Sequence, residues 1–313
     1  MPDRIPSAVR NKWVDEASPE DRPHAVAANA LEGRLEAVMY YLPLAADQAE
    51  ESAEYVHQLR VWARRSRAAV HLFGDLLPPR KSAWLKKQLK RLRRSAGNAR
   101  DCDVLIGRLA AERASPVTER WLAGLRAQRV EAQEKVVAVR AKLLRDDRLP
   151  RTIQKVVART WRRGESAPTP SFGVWARVRM RPIVDSFFDA FPADPSDAAA
   201  LHEYRIAAKL LRYDLELLVG AFPEGCRTEI YPTIEAVQDR LGDINDLATA
   251  RARLEKRIQR ADDPDDAAEW VRREASERRR LGEETRRFWE WFTVARRQEL
   301  RDRLDAMLSD AVV

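Results

Sequence analysis

Apolar residues recur at three- and four-residue spacings over long segments of the chain, and no stretch keeps the two-residue alternation of a half-buried strand. Three- and four-residue spacing places apolar side chains on one face of an α-helix. The pattern therefore predicts an all-α protein. The predicted helices are His24–Ala45, Glu50–Leu77, Arg80–Ala111, Pro116–Arg145, Asp147–Arg163, Phe172–Phe191, Asp197–Phe222, Thr228–Gln259, Asp265–Arg280 and Glu283–Leu308.

The helical pattern is interrupted by a stretch rich in proline and serine, Gly164–Ser171. Proline and glycine break helices, so this stretch predicts a boundary between two parts of the chain. We expect a poorly ordered lead over residues 1–22, a first helical bundle over 23–164 and a second over 172–313.

One sequence motif occurs twice, 145 residues apart, in His57–Arg67 and His202–Arg212. The same offset, without a gap, also aligns Pro78 with Pro223, Gly97 with Gly242 and Asp101 with Asp246. A register held over this length indicates an internal repeat. We therefore expect two similar antiparallel helical bundles related by an internal pseudo-twofold axis.

Each copy of the motif places basic side chains in a stripe along one helix face. Because a helix advances 100° per residue, the first stripe is about 80° wide. It contains His57, Arg60, Arg64, Arg67 and His71, and the second stripe contains His202, Arg205, Lys209 and Arg212. Like charges at this spacing repel each other, so counter-charges from protein carboxylates or from a polyanion are expected to face them. Arginine suits phosphate because its planar fork donates two parallel hydrogen bonds.

The helix after the first stripe carries a second basic row, and the corresponding helix of the second copy does not. The row contains Lys86, Lys90, Arg93 and Arg100, with Arg94 beside it. Residues 57–100 hold thirteen Lys/Arg and one acid, whereas residues 202–245 hold five Lys/Arg and eight acids. The first copy should therefore provide most of the affinity for a polyanion.

Two residue types recur near these rows. Gly97 and Gly242 lie in mid-helix, where glycine is unfavourable, so they predict the close approach of another helix or of a ligand. Asp101 and Asp246 follow one turn later, and we interpret them as structural partners of a stripe arginine.

Composition excludes several classes of protein. The chain has 313 residues, 57 Lys+Arg against 49 Asp+Glu and a net charge of +8, which permits a polyanionic partner. It has no apolar run of about 18 residues, no secretory leader and only two cysteines, so we expect a cytoplasmic protein without a membrane span or a disulfide framework. No known nucleotide-binding or hydrolase motif is present, and we predict no catalytic residue, no metal site and no cofactor.

At these motifs the chain resembles the CHAD family, the conserved-histidine α-helical domains. Val56–Arg67 and Leu201–Tyr213 resemble the two histidine signatures of the family. Gly97–Val104 and Leu241–Asp246 resemble its Leu-Gly-x-x-Arg-Asp and Leu-Gly-x-x-Asn-Asp turns, with Ala96 replacing the first leucine. The resemblance implies two helical bundles around a basic groove that binds inorganic polyphosphate without catalysis.

By position, the resemblance assigns polyphosphate binding to His57, Arg60, Arg64, Arg67, His202, Arg205, Lys209 and Arg212. Helix geometry adds His71, Lys86, Lys90, Arg93, Arg94 and Arg100. Targeting to polyphosphate granules and scaffolding of another enzyme are the roles we consider. The Glu-x-Glu-x-Lys strand of the CYTH domain is absent before the first helix, so we expect a stand-alone CHAD protein without triphosphatase activity.

Two other functions remain open from the residues themselves. Charge alone would also allow nucleic-acid binding, although few aromatic residues interleave the basic rows and no DNA-reading motif occurs. A histidine exposed on a helical bundle would also fit a phosphotransfer protein. We expect neither a nucleic-acid partner nor a membrane, and the sequence identifies no protein partner.

Overall fold

The computed structural model of the protein describes residues 9, 11–14, 16–111, 115–166, 168–261 and 263–309. Over these residues the chain forms helices joined by turns, without a strand, so the all-α prediction is confirmed. None of the described helices combines the length and the apolar character that crossing a membrane requires.

The helices of the first half are α1 (Pro23–Asp47), α2 (Ala53–Leu72), α3 (Pro79–Ala110), α4 (Pro116–Leu144) and α5 (Arg148–Ser166). Those of the second half are α6 (Phe172–Asp189), α7 (Ala198–Leu218), α8 (Tyr231–Ile258), α9 (Pro264–Trp291) and α10 (Val294–Ser309). A 3₁₀ turn follows α2 at Gly74–Leu76 and another follows α7 at Val219–Ala221.

Both motif helices begin at a side-chain cap. The Ser52 hydroxyl accepts a hydrogen bond from the backbone N–H of Glu54 at 3.2 Å, and α2 starts at the next residue. The Asp197 carboxylate does the same for α7 by accepting from two backbone N–H groups at 2.9 and 3.0 Å. Such caps satisfy amide groups that have no partner inside the helix, and each contributes about 1 kcal/mol.

The 145-residue offset extends from the sequence to the elements. The first residue of α7 lies 145 positions after the first residue of α2, and the second 3₁₀ turn lies 145 positions after the first. The same offset relates buried positions of α4 to buried positions of α9. The related buried positions are Leu125 and Trp270, Ala132 and Glu277, and Leu143 and Phe288. The two halves thus share an order of elements, and the twofold axis stays a prediction.

The chain divides into two compact units, residues 1–175 and 176–313, with the boundary inside α6. In the first unit α2 packs between α1 and α3, α3 also packs on α4, and α1 packs on α5. In the second unit α8 packs on α7 and on α9. Two ion pairs tie α6 to α10, Arg181 with Asp305 at 2.5 Å and Arg301 with Asp185 at 2.7 Å.

The predicted break between the last two helices was placed wrongly. We expected it near Gly282, but α9 continues through that residue to Trp291. A single glycine costs a helix only about 1 kcal/mol, which its neighbours on α9 offset. The break lies at Phe292 and Thr293, where the Thr293 hydroxyl accepts a hydrogen bond from the backbone N–H of Arg296 at 3.3 Å.

Residues 19–21 of the predicted N-terminal lead form backbone hydrogen bonds to α6, and the order of the lead as a whole stays a prediction. The backbone carbonyls of Pro19 and Asp21 accept hydrogen bonds from Gly173 and Phe172, both at 2.8 Å. These bonds fasten residues 19–21 to the first turn of α6. Residues 1–8, 10 and 15 of the predicted lead lie outside the described residues.

Candidate anion-binding site

The first basic stripe lies on the side of α2 that faces away from the core. The opposite side of α2 is buried, as its periodicity predicts, through Leu59, Trp62, Ala63, Ser66 and Val70. That packing leaves the stripe at the surface, with His71 exposed and His57, Arg60, Arg64 and Arg67 half-buried.

The basic row of α3 lies beside this stripe because α2 and α3 pack together. Lys86, Lys90, Arg93 and Arg94 are exposed, and Arg100 is half-buried. We call the combined set the cationic surface. It contains His57, Arg60, Arg64, Arg67, His71, Lys86, Lys90, Arg93, Arg94 and Arg100.

The charges of the two helices act on each other across this surface. Burial lowers the pKa of His57, the Arg100 guanidinium on α3 lowers it further, and Glu54 opposes the shift. Partial burial lowers the pKa of Arg93, and Arg67 and Arg60 on α2 add to that effect. A lowered pKa at a basic group means that its charged form is disfavoured by its surroundings. At His57 and Arg93 both burial and the neighbouring cations therefore act against the charged form.

Three arginines of this surface have no ion-pair partner among the described residues. Asp101 forms an ion pair with Arg60, Oδ1 to Nη1 at 3.3 Å, as we predicted for a partner of a stripe arginine. Within the described part of the chain, no carboxylate lies within 4 Å of a guanidinium nitrogen of Arg67, Arg93 or Arg100. Most of the positive charge thus faces outward.

The two motif glycines have no neighbour. A Cβ atom added at Gly97 or Gly242 would meet no other atom within 4 Å, leaving aside the helix's own backbone. The expected close approach of another helix is therefore wrong. Gly97 instead leaves open space between Arg93 and Arg100, into which a ligand could reach.

The second stripe begins with an exposed histidine in a hydrogen-bonded chain. His202 Nδ1 lies 3.1 Å from Oδ1 of Asn245, and the Asn245 amide nitrogen donates to Asp246 at 3.2 Å. Arg205 and Lys209 follow on α7, and both are half-buried.

The last residue of the second stripe, Arg212, is nearly buried and is paired with protein groups. Its side chain is 11% exposed, and Nη1 lies 3.2 Å from Glu235 and 3.8 Å from Glu216. The same nitrogen donates to the Tyr231 hydroxyl at 3.2 Å. Burial alone would lower the pKa of Arg212, but Tyr213, Glu216 and Tyr231 raise it above its ordinary value. Protein groups thus already neutralise Arg212, and its assignment as a phosphate ligand stays a prediction.

The surroundings of Arg212 and of its counterpart Arg67 differ in charge. The groups that contact Arg212 are Glu216, Tyr231 and Glu235. The residues 145 positions earlier are His71, Lys86 and Lys90. At the positions where the second unit supplies counter-charges, the first unit therefore supplies more cations. Glu216 is four residues after Arg212, a spacing that predicts an ion pair and could have identified this network from the sequence.

The CHAD domain family matches residues 29–255 of the chain, a range that includes both copies of the motif. The chain belongs to the CHAD domain family. Its membership supports a polyphosphate-associated role.

Two solved structures share the fold of this CHAD protein. The CHAD domain from the plant Ricinus communis is 24% identical, with a TM-score of 0.65 over 92% of this chain and 93% of that one. PptA from Streptomyces chartreusis is 19% identical, with a TM-score of 0.54 over 85% of this chain and 99% of that one. At these identities the similarity establishes the fold alone. No curated protein matches the chain.

Proposed function

We propose that this protein binds inorganic polyphosphate, without turnover, on the cationic surface of its first unit. The observation that carries the proposal is that two packed helices, α2 and α3, present adjoining rows of basic side chains, in which no described carboxylate pairs with Arg67, Arg93 or Arg100. The cations also act on each other across the two helices, in addition to the larger effect of burial on the pKa of His57 and of Arg93. Cations that destabilise one another in the free protein gain most from an anion, because the anion removes their repulsion. A flexible chain of phosphates can follow both rows at once.

The chemistry of the side chains favours phosphate over other anions. Guanidinium groups donate paired hydrogen bonds that match phosphate oxygens, and the first unit presents Arg67, Arg93 and Arg100 without a protein carboxylate in contact among the described residues. Asp101 is engaged by Arg60, and we assign it to positioning that arginine, not to proton transfer. We therefore assign binding and no catalytic step to this surface.

The residues at corresponding positions around Arg67 are basic, whereas those around Arg212 include two acids. This difference supports a larger contribution of the first unit to the affinity for polyphosphate. In the second unit Glu216 and Glu235 already neutralise the end of the stripe. We expect Arg93→Gln to weaken polyphosphate binding more than Lys209→Gln.

Calorimetric titration with long-chain polyphosphate tests the proposal. Arg67→Gln and Arg93→Gln should each raise Kd roughly tenfold, since a charge-assisted hydrogen bond contributes about 1.5–3 kcal/mol. Each substitution should also reduce the slope of log Kd against log salt by about 0.7, as for single-stranded nucleic acids. Lys135→Gln is the matched control, because it removes one exposed charge of the same unit that is already paired with Glu131 at 2.6 Å.

Three results would contradict the proposal. One is an equal loss of affinity in Lys135→Gln and Arg93→Gln, and another is a Kd that does not change with salt. The third is preference for single-stranded or duplex DNA over polyphosphate in competition at physiological salt, which would favour the nucleic-acid alternative. Gel analysis of the polyphosphate after incubation checks the absence of turnover, because shortened chains would show hydrolysis.

We further propose that binding places the protein on polyphosphate granules in the cytoplasm. A fluorescent fusion of the wild-type chain should colocalise with stained granules, and the Arg67→Gln, Arg93→Gln double variant should be diffuse. Equal colocalisation of both would show that another surface directs the protein there.

A further inference from the structure

A cavity of about 870 Å³ lies within the second unit, between the start of α7, the middle of α8 and the second half of α9. Its lining residues recur along α8 and α9 at three- and four-residue intervals, so each helix presents one continuous face to it. Most of the wall is apolar and comes from Leu201, Leu241, Ile244, Ala248, Leu281 and Trp289.

The first unit fills the equivalent seam with a charged pair. Arg129 on α4 and Asp103 on α3 lie 2.6 Å apart, and each side chain is about 15% exposed. The residues 145 positions later are Glu274 and Ala248. In the second unit Glu274 instead pairs with Arg251, three residues after Ala248 on α8, and Ala248 itself lines the cavity.

The rim of the cavity carries one cation that protein acids do not balance. Arg251 is paired with Glu274 at 2.8 Å, and Arg286 is paired with Glu290 at 2.9 Å. Arg278 is exposed on α9 and lines the cavity. Among the described residues no carboxylate lies within ion-pair distance of Arg278.

We propose that this cavity binds an amphipathic anion, an alkyl or aryl chain that ends in a carboxylate or a phosphate. The chain would lie along the apolar wall and the anionic group would pair with Arg278. The volume is in the range of roughly 300–1,000 Å³ that holds small organic ligands. A neutral chain would leave Arg278 without a partner, and a cationic chain would be repelled by it. The proposal does not depend on polyphosphate binding.

Titration calorimetry of the full chain with decyl phosphate and with decanoate, both below their micelle concentrations, tests this proposal. We expect one site per chain in the absence of polyphosphate, because His202 of the second stripe also lines the cavity. Decyltrimethylammonium and inorganic phosphate should not bind this site, since the first has the wrong charge and the second has no apolar part. Comparing the two decyl anions decides between phosphate and carboxylate.

Two variants locate the site. Arg278→Gln should raise the Kd for the decyl anion about tenfold, as for loss of one charge-assisted hydrogen bond. Gly282→Leu should abolish binding, because Gly282 lines the cavity and a Cβ there would meet no atom within 4 Å, so the new side chain occupies the open space. Gly124→Leu is the control, an equally open helical glycine in the first unit.

Two outcomes would overturn the proposal. These are full binding by Gly282→Leu with its helical circular dichroism intact, and equal binding of decyltrimethylammonium. Arg93→Gln should leave the decyl anion bound while it weakens polyphosphate, so the two proposals can fail separately.

Discussion

Replacement of Gly164 by alanine tests the packing of α1 against α5 in the first unit. A Cβ atom at Gly164 would lie 2.6 Å from Cβ and 3.2 Å from Cγ of His24. His24 is 5% exposed and its Cβ is fixed to the backbone of α1, so the contact cannot be relieved by a side-chain rotation. One of the two helices must move.

The size of the effect follows from two opposing contributions. Alanine should gain about 1 kcal/mol over glycine in a helix. Overpacking a close contact costs about 1–3 kcal/mol. Gly124→Ala is the matched control, because Gly124 is in α4, is exposed and would meet no atom within 4 Å. The difference in unfolding free energy between the two variants cancels the helix contribution and should be about 1–3 kcal/mol, with Gly164→Ala the less stable.

Urea unfolding followed by circular dichroism measures this difference through the midpoint of the transition at unchanged slope. His24→Ala combined with Gly164→Ala should recover part of the loss, since removal of the imidazole lets the helices adjust. If Gly164→Ala is as stable as Gly124→Ala, the proposed contact between α1 and α5 is wrong.

Three further predictions follow from the ionisable groups. Burial and Arg100 lower the pKa of His57, and bound polyphosphate should raise that pKa. The affinity for polyphosphate should therefore increase as pH falls and decrease as pH rises through the bound-state pKa. NMR titration of His57 with and without polyphosphate checks this, and an unchanged pKa would contradict it. Glu216→Gln should destabilise the second unit by about 1–3 kcal/mol in urea, because Arg212 loses one anionic partner and keeps Glu235 at 3.2 Å, whereas Glu131→Gln at an exposed pair should have little effect. Burial raises the pKa of Cys226 to about 12, so this thiol should not react with Ellman's reagent at pH 8 until the protein unfolds; rapid reaction of the native thiol would refute its burial.

Helical periodicity predicted the features that depend on one helix at a time. The 100° advance per residue separated the stripe of α2 from its buried side, and Leu59 and Trp62 are buried as expected. The composition of the two copies predicted that the first is basic and the second acidic. In the structure, Arg212 of the second copy pairs with Glu235, whereas the residue that corresponds to Glu235 near Arg67 is Lys90.

Features that need contacts between helices could not be predicted in this way. A stripe of arginines looks the same in sequence whether carboxylates on the neighbouring helix face it or not, so the stripe alone did not show that Glu235 on α8 pairs with Arg212. Similarly, the cavity lined by Ala248 and Leu281 forms between α8 and α9, and the pattern along a single helix does not reveal it. Residues 19–21 form backbone bonds to the start of α6, and backbone bonds leave no mark on residue type.

The location of the unit boundary inside α6 decides how the molecule can be divided. Phe172 is fully buried, and the Trp175 ring stacks on Phe73 with centroids 5.4 Å apart. A fragment that stops at the proline-rich loop would lack both aromatic rings and would expose the surface beneath them. An N-terminal fragment intended to fold independently should therefore include at least residue 175, and a protease that cuts the loop would leave two pieces that stay associated.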